Sequence, residues 1–416
     1  MIIKNITQWF HDLAHVWVRE CWLVLHDKGA IIFFFVLCAI YPLLYATIYN
    51  PEVVTDVTVV IVDDDRSQES RELCRQLDAT PEVCVVAYAA DMQEARRMMN
   101  EKRCYGIVHV PREYSTSLSR IEKANVDVYC DMGVLLRYKQ IVTAVTNVQQ
   151  NLTGEIQAAK MAAVTTPGAI IESEQVPLGN TAMGLASAVL PCILMLVLQQ
   201  SMLLGIGTLH GGSRERRLAN RGYDPMEVPA GVTSTVIGKA LCYVFMYAIP
   251  MVYVLYLVPM FFDFPQNGRL LEVLTFTIPF LLASAMLGQV LKIFVNDRES
   301  AFIALAFTSV IFVFLTGISW PRCAMNSFWL AMGNMIPSTW AANGYISLQT
   351  GGATLRQVEI NYWMLWLLVI LYFVLACIVE YYLCRPRWRR MRHYAKRDAG
   401  ALMREEYRRQ AVDILE

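Results

Sequence analysis

A long polar block, from about Pro51 to Pro177, separates a lone apolar segment, Ala30–Tyr49, from a tract that stays apolar almost to the end of the chain. This separation limits the possible folds more than any motif does. Ala30–Tyr49 carries no charge. At 1.5 Å rise per residue, about 20 residues cross roughly 30 Å of hydrocarbon. A chain so arranged crosses a membrane once, builds a domain outside it, and returns for further crossings. Composition agrees. Hydrophobic residues make up 56% and charged residues 17%, against roughly 25% charged in an ordinary soluble domain. The expected fold is an α-helical polytopic membrane protein with six transmembrane helices and an inserted extracytoplasmic α/β domain.

Residues 1–29 read as an interfacial amphipathic helix. Phe10, Leu13, Trp17, Cys21 and Val24 recur at steps of three and four, with Trp9, Trp17 and Trp22 as interface anchors. No small-x-small cleavage site follows Tyr49, so a removed signal segment is not expected. Within residues 50–180, Val57–Val62, Val83–Tyr88, Cys104–Val110 and Val126–Cys130 read as strands, and Ser67–Leu77 as a helix. Asp91 and Glu94 resemble a capping box ahead of another helix. A long helix over Leu135–Ala162 closes the domain. Its positions Tyr138, Ile141, Val145, Val148, Leu152, Ile156 and Ala159 follow a near-heptad seam, for packing on the domain or on a second copy. Residues 181–384 hold the later spans: Ala182–Leu209, Ile237–Phe262, Leu271–Phe294, Phe302–Trp320 and Tyr362–Leu383. Residues 321–357 are too polar and Gly-rich for a simple span. They read as an outer re-entrant loop with short helices dipping into the interface.

Lysine and arginine set the orientation. With the N-terminus inside, the inner segments hold Lys4, Arg19, Lys28, Arg214, Arg216, Arg217, Arg221, Lys292, Arg298 and the basic tail, 385–416, while the short outer loops hold Arg269, Arg322 and Arg356. Both termini are then cytoplasmic and the polar block is outside. The tail is explained as a topology anchor near anionic lipid rather than a nucleic-acid site. Cys74, Cys84, Cys104 and Cys130 fall in the outer block, where an oxidising compartment favours disulfides. Cys74 with Cys84 and Cys104 with Cys130 join neighbouring elements. Four cysteines allow three connectivities, and free thiols are the alternative.

The chemical motifs are weak. Gly231 through Gly238-Lys239-Ala240 has the wrong glycine spacing for a P-loop and lacks its hydroxyl. His11 and His15 lie one helical turn apart without a third metal ligand. Asp63-Asp64-Asp65 reads as a strand end and helix cap, not a cation site. No metal, cofactor or catalytic residue is expected. Lys239, Glu272, Lys292 and Glu380 lie close to span ends, which does not favour a proton relay. Gln199 and Gln200 in the second span and Gln289 in the fourth are the interior polar groups. Two charged segments face the side where ATP is found: the loop His210–Thr233, with Arg214, Glu215, Arg216 and Arg217, and the turn with Asp297, Arg298 and Glu299. They are candidate docking surfaces for a cytoplasmic motor.

At this point the chain resembles an ABC-2 type transporter permease with a large extracytoplasmic domain after its first span. Arg19-Glu20 and His26-Asp27-Lys28 are similar to a family pattern before that span, and Tyr41-Pro42 to its mid-span proline. Val59–Glu72, Tyr105-Gly106-Ile107-Val108 with Pro111, and Val128–Asp131 resemble its outer domain. Arg214-Glu215-Arg216, Gly238-Lys239, Ile336–Thr339 and Gly351–Val358 resemble its later landmarks. The residues after Arg217, Leu-Ala-Asn-Arg-Gly-Tyr-Asp, and the four outer cysteines depart from the family pattern.

The resemblance implies a permease that is not itself an enzyme, working as a dimer with a second copy or a paralogue in the cell inner membrane. A separate ABC ATPase subunit energises outward movement of drugs, lipophilic molecules or envelope components. In Gram-negative relatives a periplasmic adaptor protein and an outer-membrane channel continue the path. The second and fifth spans are expected to line the path, with Gln199, Gln200, Thr308 and Ser309 as its polar residues, and the Tyr138–Leu152 seam to meet the dimer mate. The alternative is a non-transporting envelope scaffold or sensor whose outer domain binds a ligand or partner.

Overall fold

The computed structural model describes residues 2–49, 54–120, 123–131, 135–161, 185–220, 224, 226–228 and 230–382. The chain divides into two compact units, one of residues 51–176 and the other of the remainder. It is a polytopic helical membrane protein with an inserted α/β domain. Five described helices are long and apolar enough to cross a membrane, or six with one bent pair counted as a span.

The membrane unit opens with α1 (Ile2–His26). Asp27 then caps the first span, α2 (Lys28–Tyr49), accepting from Gly29 N at 3.0 Å and Ala30 N at 3.2 Å. The inserted domain follows: β1 (Val57–Asp63), α3 (Gln68–Asp78), β2 (Val83–Tyr88), α4 (Met92–Asn100), β3 (Gly106–Val110), α5 (Tyr114–Ser119), β4 (Asp127–Cys130) and α6 (Leu135–Met161). The chain returns through α7 (Leu185–Ala219), the bent pair α8 (Val232–Met246) and α9 (Ala248–Phe261), α10 (Leu270–Leu291) and α11 (Arg298–Leu315). Two short helices, α12 (Ser327–Asn334) and α13 (Pro337–Gln349), precede the last span, α14 (Glu359–Tyr382).

In the domain the sheet order is β2-β1-β3-β4, with β2 and β3 parallel to β1 and β4 antiparallel to β3. Central β1 is buried on both faces, which explains its unbroken run Val59-Val60-Ile61-Val62. One face packs on Leu73, Cys74 and Leu77 of α3 and on Ile141, Ala144, Val145, Val148 and Leu152 of α6. The other packs on Ala95 and Met98 of α4. The apolar seam of α6 therefore serves the domain's own core. Ile141, Val145, Val148 and Leu152 are buried there and Tyr138 is exposed, so the expected contact with a dimer mate through this seam is corrected. The side chains of Ile156 and Ala159 lie outside the described residues, as does the link from α6 to α7. Asp91 caps α4 as expected, but Glu94 reaches back to Ala90 N at 2.9 Å, one residue before the cap.

The same alternation corrects the candidate disulfides. Cys74, Cys84, Cys104 and Cys130 are all free. Cys74 belongs to the core on one face of the sheet, and exposed Cys84 follows inward-facing Val83 on β2. Cys104 is buried with the α4 face, whereas Cys130 packs against the opposite core. The sheet lies between the latter pair.

The membrane unit is built around α7. Phe34 of α2 lies against Gly205, where a Cβ would come within 2.0 Å of its ring. Helices α10, α11 and α13 also pack on α7. The α8–α9 pair bends by 43°. A π turn over Tyr253–Leu257 loosens the helix ladder, and buried Tyr345 Oη donates to Leu255 O at 2.8 Å. Backbone at membrane depth needs such internal partners. Helix α13 is not an interfacial dip, contrary to expectation. Ser338, Thr339, Ala341, Ala342, Tyr345 and Leu348 are fully buried, whereas α12 exposes Phe328, Trp329 and Met332.

Thiol chemistry tests the domain. Burial pushes Cys74 up to about 12 and Cys130 up to about 11. At neutral pH the cysteines of the folded domain should alkylate with iodoacetamide first at Cys84, with Cys74 and Cys104 protected until denaturant is added. Peptide mass spectrometry reads the order, and early modification of Cys104 would contradict the two-faced packing.

Candidate functional site

Many charged residues of the membrane unit gather at the end formed by α1, the start of α2, the end of α7 and the starts of α8 and α11. Helix α7 continues well past the expected limit of its span, so Arg214, Glu215, Arg216 and Arg217 stand on its last turns and not in a loop. No Pro or β-branched residue interrupts His210–Ala219, and its two weak helix formers, Gly211 and Gly212, are packed against Asp297 and Arg298. Asp297 caps α11 in a capping box with Ser300, and its carboxyl is held below the ordinary value, chiefly by hydrogen bonds from Ser300.

Arg298 connects three helices. Its guanidinium contacts Asp27 at 3.0 and 2.7 Å and Glu215 Oε2 at 3.2 Å, while its backbone N–H donates to Glu215 Oε1 at 3.0 Å. Gly211 permits this approach, since a Cβ there would lie 2.6 Å from the Asp297 carbonyl carbon. The two charged segments expected from sequence are thus one cluster, with Asp27 as a third member. Arg216 instead pairs with buried Asp224 at 3.0 Å and Arg217 with Glu227 at 3.3 Å. These pairs fold the connection back onto α7. Arg214 and Glu299 are exposed, and one turn on from Arg214 an apolar side chain, Leu218, is 77% exposed.

A second set of charges is paired between helices. Glu20 of α1 is buried, receives the Tyr243 hydroxyl and pairs with Lys239 at 3.4 Å. Lys292 and Glu380, from α10's end and α14, form a buried ion pair. With Arg19, Arg216, Asp224 and Gln289 they line a polar pocket. Their positions near span ends were visible in sequence; their pairing across helices was not. Glu272, at the other end of α10, accepts from Leu355 N at 2.7 Å.

The expected path residues split. Gln199 Oε1 accepts from Ser338 N at 2.8 Å, and Gln200 Nε2 donates to Thr308 Oγ1 at 3.2 Å. Ser309 Oγ only back-bonds to Ala306 O in its own helix. The Asp63–Asp65 run serves its turn. Asp63 accepts from Arg66 N at 2.9 Å and Ser70 Oγ at 2.8 Å, and Asp65 from Ser115. The His11 and His15 rings lie 4.5 Å apart at a 43° tilt, and no metal-binding group of three occurs among the described residues.

A family model described as ABC-2 family transporter protein matches residues 28–378. The chain belongs to the ABC-2 transporter family. The match begins at α2 and ends within α14, so it takes in every candidate span and leaves α1 outside. No curated protein matches the chain. An ABC-2 permease is the transport component of an ABC transporter, a multi-pass membrane protein that works with an ABC ATPase.

Two stability tests follow. Removing one partner of a buried ion pair costs about 3–5 kcal/mol, because the other charge stays uncompensated. Lys292→Met in this permease should therefore lower thermal stability in detergent sharply, and adding Glu380→Leu should restore most of it. Asp224 supplies a pH dependence. Burial alone would raise its carboxyl, but Arg216, Ser213 and Met226 N–H together hold it below its ordinary 3.8. Stability from a lowered carboxylate is present above its ordinary value and lost as pH falls through the folded one. The melting temperature of the parent chain should fall more steeply below about pH 4 than that of Asp224→Asn.

Proposed function

We propose that this permease is the membrane-spanning subunit of a dimeric exporter in the cell inner membrane, driven by a separate cytoplasmic ATPase that docks on the α7–α11 end. Its termini are cytoplasmic and the inserted domain extracytoplasmic, as the Lys and Arg distribution supports. Its cargo is a drug, lipophilic molecule or envelope component, and Gln199, Gln200 and Thr308 belong to its path.

One observation carries the docking reading. Arg298 ties Asp27 and Glu215 into a platform joining α2, α7 and α11, with Leu218 exposed on the α7 face that carries Arg214 and Glu215. An exposed apolar side chain flanked by charges offers a partner both an apolar contact and a polar rim. The paired interior of the platform holds three helix ends in register, so a motor pushing on Leu218 moves them together.

Leu218→Asp should reduce the ATPase that copurifies in mild detergent by about tenfold or more and abolish ATP-driven export, with the chain's melting temperature unchanged. Leu218 contributes nothing to the core, so the mutation has no route to unfolding. Full copurification of the ATPase with the variant would sink the docking assignment.

A further inference from the structure

The N-terminus of α13 lies deep in the membrane unit. Gln199, which touches it, is ten residues before Leu209, the last apolar residue ahead of the polar His210–Arg217 turns and level with the start of α2, where Gly29 lies against Thr208. At 1.5 Å per residue that is about 15 Å, half of a roughly 30 Å hydrocarbon core. A helix start at that depth exposes N–H groups where no water can satisfy them. Pro337 at the first turn removes one, and cap residue Ile336 offers no side-chain acceptor. Gln199 supplies the acceptor from α7 through Oε1.

That bond fixes the amide. Because Ser338 N–H is a donor, the Gln199 oxygen must face it, and the NH2 group points away. Gln199 Nε2, Ser338 Oγ and Thr339 Oγ1 are all fully buried and make no hydrogen bond. Leaving such groups buried without a partner costs about 1–3 kcal/mol each. Three unpartnered side-chain donors thus lie on or next to a helix N-terminus, which carries about half a positive charge. No carboxylate opposes them: α7 from Leu185 to Ser213 and the whole of α13 contain no Asp or Glu.

We propose that Gln199, Ser338 and Thr339 at the start of α13 form a binding site for the anionic head of an amphiphile, a carboxylate or phosphate, and disfavour lipophilic cations. A helix N-terminus with spare donors matches an oxyanion in geometry and in sign. A cationic head would find no counter-charge and would meet the positive end of the dipole. The site stands on its own geometry. Its use in transport rests on the exporter reading above and narrows the cargo to acidic amphiphiles.

The test uses the full chain in phosphatidylcholine nanodiscs and two photoactivatable dodecyl probes, one headed by phosphate and one by trimethylammonium. The phosphate probe should label peptides containing Gln199 or Ser338-Thr339, at least tenfold more than the ammonium probe does, and excess dodecyl phosphate should compete. Inorganic phosphate should not compete; if it does, the amphiphile assignment falls. Ser338→Ala with Thr339→Val should cut labelling about tenfold while leaving the melting temperature equal or higher, because unpartnered hydroxyls stabilise nothing. Thr339→Ser keeps its hydroxyl and should retain labelling. Equal labelling by both heads, or unchanged labelling in the double variant, overturns the proposal. Labelling needs no ATPase, so the docking reading and this one fail separately.

Discussion

Apolar solvent on all sides of a span leaves the chain to satisfy its own polar groups, and the Gln199–Ser338 bond is where that demand is sharpest. Helix α13 begins at mid-membrane depth, and its exposed N–H is met by a side chain from the most buried span. Without an acceptor on α7, a helix ending in the bilayer interior would have no stable start. Much of the packing around α7 follows. Phe276 of α10 lies against Gly344 of α13, and Tyr345 reaches back to the loosened turn of α9. The short polar helix is therefore part of the bundle's core and not an appendage of an outer loop.

This explains what the sequence disclosed and what it hid. Long uncharged runs mark the spans because hydrocarbon thickness sets their length. The domain's β-α-β-α-β order was legible because strand and helix periods differ. Helix α13 was not legible: Ser338, Thr339, Asn343, Ser347 and Gln349 make it read as a loop, and only their burial between α7 and α10 reveals its place. The α6 seam was visible as a period, but a period does not name its partner. The four outer cysteines could be counted, yet their faces depend on strand alternation and on a bulge between Val59 and Val60. Charges near span ends look solvated in a hydropathy window. Glu20 with Lys239 and buried Lys292 with Glu380 become pairs only when four helices meet.

The two polar regions of the membrane unit are joined by one unbroken element. Between Gln199 and Arg217 helix α7 contains no proline; its single one, Pro191, lies on the other side of Gln199. Glu215 is sixteen residues from Gln199, about 24 Å along the axis. This continuous helix joins the Arg298 cluster, through Glu215, to the Gln199–Ser338 contact. The neighbouring Gln200 bonds Thr308 and so ties α7 to α11, the least buried of the five single-helix spans. Under the docking proposal, a change at the Arg298 cluster reaches both glutamine bonds through one helix, and its effect at mid-membrane depends on how firmly Gln199 holds Ser338.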